Sequence, residues 1–224
     1  MKKCLLLLLL LASCKTLEYN DLNPEMSPNP VLLPAMDTLV DINNLESTYS
    51  SGTFVSQSNS LGTGYVNNNF GGWFQTTSTV GTQYKDPRVS DIINILNKEV
   101  KDNITTPYGE KKGYISLSLG YRGRSGTICP VISALTLFTI NVIGFPFDKE
   151  TQSLEVEVQI MNRKREVIRR YKENVLNSDY SAMWYGYDIQ TLQRKLAADN
   201  IKEALKKIRY RIKDDAIELK KELK

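Results

Sequence analysis

Leu154-Glu155-Val156-Glu157-Val158-Gln159-Ile160 alternates apolar and polar residues without a break. Successive side chains on a strand point to opposite faces, so Leu154, Val156, Val158 and Ile160 share one buried face. Glu155 and Glu157 fall on the solvated one. Asn162-Arg163-Lys164-Arg165 reads as a turn, with Asn162 suited to hydrogen-bond its own backbone. Glu166 to Lys172 then alternates more loosely. Together these residues predict an antiparallel β-hairpin. Upstream, Tyr114 to Tyr121 alternates strictly and predicts another strand, with Ile115, Leu117, Leu119 and Tyr121 on one face.

Around these strands the period changes to three and four. Asp86-Pro87 opens a helix, the aspartate as N-cap and the proline in the first helical position. Val89, Ile92, Ile93, Leu96, Val100 and Ile104 then recur on one side, and Thr106-Pro107-Tyr108-Gly109 ends the pattern. A second helix is expected from about Asp188 to the C-terminus. Its apolar stripe is Ile201, Leu205, Ile208, Ile212, Ala216, Leu219 and Leu223. At 1.5 Å per residue it would run ~50 Å, so its end is expected to project or to pair with another helix, unless the stripe packs on the core. Met36 to Leu45 supplies a first strand through Met36, Leu39, Val40 and Ile42. Helices interleaved with strands predict an α/β (α+β) fold: one two- or three-layer domain over residues 36–224, with a mixed sheet, a C-terminal antiparallel hairpin and a long C-terminal helix.

Two stretches carry no charge. Ser47 to Tyr84 is rich in Ser, Thr, Asn and Gly, with Phe54, Tyr65, Phe70, Trp73 and Phe74 scattered through it. A loop or irregular hairpin is the first reading of residues 47–84, and glycan binding through amides, hydroxyls and flat rings is the second. Ser125 to Phe147 is long enough to cross a bilayer, but Pro130 and Pro146 shorten its apolar core, and Thr136, Thr139 and Asn141 lie inside it. It is read as a buried helix or strand-like segment against the sheet, with membrane contact as the alternative. Arg122 to Gly126 is read as a basic turn.

Composition narrows the chemistry. The chain of 224 residues has no histidine, the commonest general base and metal ligand. Ser-His-Asp and Cys-His catalysis are excluded, and no metal, cofactor or catalytic residue is expected. Two binding surfaces stand out. Arg163, Lys164, Arg165, Arg169 and Arg170 crowd the hairpin around one acid, Glu166; the first reading is a solvated hairpin tip, and the second a surface for lipid head groups, anionic cell-wall polymer or an acidic partner. Tyr180, Trp184, Tyr185 and Tyr187 surround Gly186 ahead of the last helix, either packing that helix or forming a partner site.

The N-terminus decides the compartment. Lys2 and Lys3 precede the apolar run Leu5–Leu11, and small residues Ala12 and Ser13 precede Cys14. These are the parts of a secretory signal, and the run is too short to span a bilayer. Leu11-Ala12-Ser13-Cys14 resembles the lipobox of bacterial lipoproteins, including those of the Bacteroidetes envelope. The resemblance implies cleavage before Cys14, diacylglycerol on its thiol and acylation of the new amino terminus; two or more chains anchor a protein stably. Residues 1–13 are thus expected to be a signal peptide. Residues 14–35 form a lipidated, proline-rich tether through Pro24, Pro28, Pro30 and Pro34. Lys15 after the cysteine, by resemblance to enterobacterial sorting, disfavours retention in the inner membrane. With only Glu18 nearby, the acidic cluster that resembles a Bacteroidetes surface-export signal is absent, so the outer membrane, facing the periplasm, is expected.

Without residues 1–13 the net charge falls from +4 to about +2, which asks for no nucleic acid. Cys4 leaves with the signal and Cys14 is lipidated, so Cys129 has no partner for an intramolecular disulfide. The order of elements is similar to the α/β domain of penicillin-binding-protein activator lipoproteins and of the curli-secretion lipoprotein. That likeness of topology implies a domain that binds partners, and it carries over no site residues. The expectation is a non-enzymatic, lipid-anchored protein that binds or scaffolds an envelope partner, with glycan or cell-wall polymer binding as the alternative.

Overall fold

The computed structural model describes residues 19–50, 73–75, 86–125, 129–182 and 189–223. Among the described residues five strands form one mixed sheet: β1 (Met36–Asp41), β2 (Trp73–Gln75), β3 (Gly113–Ser125), β4 (Asp148–Asn162) and β5 (Val167–Ser181), in the order β2-β1-β3-β4-β5. β1 runs parallel to β3, and every other neighbouring pair is antiparallel. The chain therefore has the expected α/β fold with a mixed sheet. The predicted hairpin is β4–β5, and Leu154, Val156, Val158 and Ile160 are all buried. Asn162 makes its turn: its Oδ1 accepts from the N–H of Lys164 at 2.9 Å and of Glu166 at 3.0 Å. β3 begins on a glycine because it must; a Cβ at Gly113 would sit 2.1 Å from the carbonyl oxygen of Met161.

The helices are α1 (Ile42–Ser50), α2 (Pro87–Glu99), α3 (Cys129–Leu135), α4 (Thr139–Val142), α5 (Ile189–Asp214) and α6 (Ala216–Glu222). Asp86 caps α2 as expected, accepting from the Arg88 N–H at 2.8 Å. Val89, Ile92, Leu96, Val100 and Ile104 all enter the core with the α5 stripe. The last turn of this helix loosens into a π-turn, Val100–Ile104. α5 packs on β4 and β5 and runs antiparallel to β5: Lys195 pairs with Asp179 at 3.2 Å, Asn177 reaches Glu203 at 3.0 Å, and Arg211 meets Glu173 at 2.7 Å. Arg194 grips Asp91 with two nitrogens and so ties α5 to α2.

Several expectations are corrected. The first strand ends at Asp41, whose carboxylate accepts from the Asn44 N–H at 3.0 Å and so starts α1. The uncharged stretch therefore begins inside a helix rather than in a loop at Ser47. The strand expected over Tyr114–Tyr121 continues to Ser125, past a register shift between Leu119 and Arg122, so the basic turn at Arg122 is strand. Arg122 is occupied there, its guanidinium 4.7 Å from the Tyr49 ring centre. Of the readings open for the C-terminal helix, core packing is the one found: the helix kinks at Asp215, with backbone bonds continuing across it, and α6 carries Leu219 and Leu223 into the core.

The proline-rich stretch is also different from a free tether. Val31 and Leu33 are buried, and their N–H groups donate to the Asn103 and Ile104 carbonyls at 2.8 Å. Prolines that remove backbone donors leave the chain extended, and here that extended chain lies along the groove between α2 and α5 as a strap. The domain thus begins near Asp21, well before Met36.

Candidate functional site

Thirteen large apolar side chains among the described residues are exposed, and six lie between Val131 and Ile143: Val131, Leu135, Leu137, Phe138, Val142 and Ile143. These belong to the connection from β3 to β4, expected as a buried element against the sheet. Instead α3 and α4 form a small lobe at the ends of β3 and β4, with Leu137 83% and Ile143 85% exposed.

The lobe is built inside out. Ser133 and Asn141 are its buried residues; the Asn141 amide donates to Ser133 Oγ and to the Phe145 carbonyl, both at 3.0 Å. Thr136 and Thr139 return their hydroxyls to carbonyls of the preceding turn. Polar atoms thus hold the two short helices together, and the apolar groups point away from them. Leu137 and Phe138 take consecutive positive φ values of 50° and 60°, in a region costly for residues with a Cβ. Thr136, Thr139 and Asn141 within an apolar run are the one signal legible beforehand: short polar side chains that can return to nearby carbonyls or to Ser133 in tight turns, although the period alone could not say which face looks outward. Among the described residues no helix is long and apolar enough to cross a membrane.

At the base of the lobe, the Phe147 N–H donates to the Ser181 carbonyl at 2.7 Å. Next to it Tyr180, partly exposed, lies with its ring centre 5.2 Å from the Lys149 ammonium. Tyr180 is the described member of the predicted aromatic cluster, and the end of β5 places it beside the lobe. Trp184, Tyr185 and Tyr187 lie outside the described residues, as does Cys14, and as does most of the uncharged stretch 47–84.

The predicted basic surface lies at the opposite pole of the hairpin. Sequence neighbours hid its counter-charges. Arg163 pairs with Glu110 and donates to the Lys111 carbonyl at 3.0 Å, and Arg169 pairs with Glu218 of α6 at 2.6 Å. The Arg165 guanidinium lies 5.4 Å from the Tyr114 ring centre. Lys164 and Arg170 are exposed. Arg169, Arg170 and Lys172 belong to β5, an edge strand of the described sheet, where charge discourages pairing with a foreign strand. Part of this patch therefore protects the edge.

A polar cleft of about 230 Å³ opens beside the strap. Glu99 of α2 and Arg209 of α5 meet beneath it at 3.0 Å. Burial pushes the Glu99 carboxyl above its ordinary range, against the lowering influence of Asn103 and Arg209. At the rim, Lys206 pairs with Glu25 at 2.8 Å, and Lys202 pairs with Asp199 at 3.0 Å while donating to the Asp21 carbonyl at 2.6 Å. The hydrogen bond and charge of Lys206 hold Glu25 below the usual carboxylate range. These ions fasten the strap, and among the described residues no group of three carboxylate, cysteine or histidine side chains is placed to hold a metal. The sequence matches no protein-family model, and no curated protein matches it.

Proposed function

We propose that this chain is a lipid-anchored bacterial outer-membrane lipoprotein, facing the periplasm, that acts by contact with an envelope component rather than by catalysis. The exposed lobe carries this reading. An apolar surface concentrated on one small element, in a domain that buries its other apolar stripes, marks an interaction site. The sequence of Met1–Cys14 supports the anchor, because a cationic start, apolar run and small residues lead into a lipobox-like cysteine.

Two measurements test the reading. Cys14→Ser should move the full chain from the membrane fraction to the soluble one; a variant that stays membrane-bound overturns the anchor. A photoreactive residue at Leu137 should give a reproducible adduct with an envelope component in intact cells. A residue that stays unadducted overturns action by contact through the lobe.

A further inference from the structure

The strap and the lobe together say where the domain sits. The strap runs parallel to α5, since Asp21 meets Lys202 while Glu25, four residues on, meets Lys206. Its N-terminal end therefore lies toward the start of α5. That start adjoins the end of β5, where Lys195 meets Asp179 and where Ser181 receives the base of the lobe. The strap is fastened midway along α5, and its direction there leads back toward the pole that carries the apolar lobe. The basic turn at Arg163–Arg165 occupies the other.

Distances make this direction consequential. Cys14 stands seven residues before Asp21, so a lipid on Cys14 can lie at most ~25 Å from the strap's first fastening, at 3.3–3.6 Å per extended residue. From Lys202 back to Ile189 the helix rises thirteen residues, ~20 Å at 1.5 Å each. A seven-residue leash leaves the pole of the lobe within reach of the lipid surface and gives the domain little room to stand away from it. A free tether of 14–35 would have imposed no such closeness; the packing of Val31 and Leu33 against α2 does.

Resting on the anchored reading above, we propose that the α3–α4 lobe is a second membrane contact, its Leu135, Leu137, Phe138 and Ile143 seated at the boundary of head groups and acyl chains. The chemistry fits that occupant. Ser125 to Phe147 brings no charge to be desolvated. Among its described residues the Asn141 amide donates inward to Ser133 Oγ and the Phe145 carbonyl, and the Thr136 and Thr139 hydroxyls donate to carbonyls of their own turns. Asn141 Oδ1 is left as a buried acceptor without a partner, but these bonds lower the cost of an apolar medium. At its base Tyr180 and Lys149 supply an amphipathic ring and a long cationic side chain, the residue types that sit at the polar interface. Two short helices seated this way enter the boundary to ~5–10 Å without spanning it. The anchor and the lobe then hold the domain at two points, so that the basic pole with Lys164 and Arg170 faces away from the membrane.

The test uses the full chain, purified with its lipid and reconstituted into phosphatidylethanolamine–phosphatidylglycerol vesicles. An environment-sensitive fluorophore is attached to Leu137→Cys in one preparation and to Lys164→Cys in another, with the unsubstituted chain labelled as a blank for Cys129. Flotation of the vesicles reports anchoring separately. The expected result is blue-shifted emission at position 137, quenched severalfold by spin-labelled lipid, with position 164 unshifted and unquenched. A chain that floats while position 137 remains in water overturns the lobe's membrane contact and leaves the anchor standing. A chain that does not float overturns both. A shift at 137 that appears only on adding envelope extract assigns the lobe to a protein and overturns the inference as well.

Discussion

The Glu99 carboxylate accepts from the Arg209 guanidinium at 3.0 Å with only 2% and 6% of the two side chains exposed. This pair lies under the strap and joins α2 to α5. Removing one member of a buried pair leaves the other charged and desolvated, at a cost of about 3–5 kcal/mol. Arg209→Met should lower the free energy of unfolding by that amount, read from denaturant titration. A loss below about 1 kcal/mol would mean that water reaches Glu99 and that the strap does not seal the groove.

Acidity should act on this pair in a definite direction. Burial raises the Glu99 carboxyl above its ordinary value of 4.5. The unfolded chain then releases this proton at lower pH than the folded one, so Glu99 favours the fold below the unfolded value. That contribution is lost as pH rises through the folded value. Glu99→Gln removes the titration. Its stability relative to the parent chain should climb as pH increases from 4 through the folded value and then level off. Urea midpoints of both proteins across that range check the sign, and a difference that is flat or falls with pH contradicts it.

Asn103 is the hub of the strap. Its Oδ1 accepts from the Ser27 N–H at 2.7 Å, while its Nδ2 donates to the Glu25 carbonyl at 3.1 Å and to Glu99 at 2.6 Å. Asn103→Ala strips all three and leaves the carboxylate of Glu99 short of a donor; each buried group left unmade costs about 1–3 kcal/mol. Amide hydrogen exchange should accelerate at Ser27, Val31 and Leu33 by at least tenfold, with the β4–β5 ladder protected as before. Uniform loss of protection across sheet and strap would show that the strap unfolds only with the whole domain.

Part of this architecture is legible from period alone. Leu154, Val156, Val158 and Ile160 alternate and face the core, and Val89 to Ile104 steps by three and four and does the same. The opposite face of β4, read as solvated, is a correction, because Glu157 and Gln159 are buried there and bond each other. What sequence reading missed depends on long-range partners. Asn103 and Glu99 look like ordinary polar positions at the end of a helix until the strap arrives from more than seventy residues away. Arg163 and Arg169 look like an unopposed patch until Glu110 and Glu218 fold against them. Ser125 to Phe147 misled for another reason: apolar composition says that a segment leaves water, and does not say whether it enters the protein's own core.

Leu137 gives that distinction a thermodynamic test. It is 83% exposed, so truncation forfeits little packing, and its φ of 50° lies where glycine is at ease. In water Leu137→Gly should cost nothing or stabilise the domain by up to about 1 kcal/mol, the relief of positive φ offsetting glycine's entropy in the unfolded chain. The same change deletes an apolar side chain worth about 1.5–3 kcal/mol when fully transferred from water. Full chain carrying Leu137→Gly should therefore keep or raise its unfolding midpoint in detergent-free buffer after Cys14→Ser removes the lipid. In its lipidated form on vesicles, the lobe should become more accessible to protease than the parent's. Destabilisation by more than about 2 kcal/mol would show instead that Leu137 packs within the domain, and the lobe would then lose its standing as a contact surface.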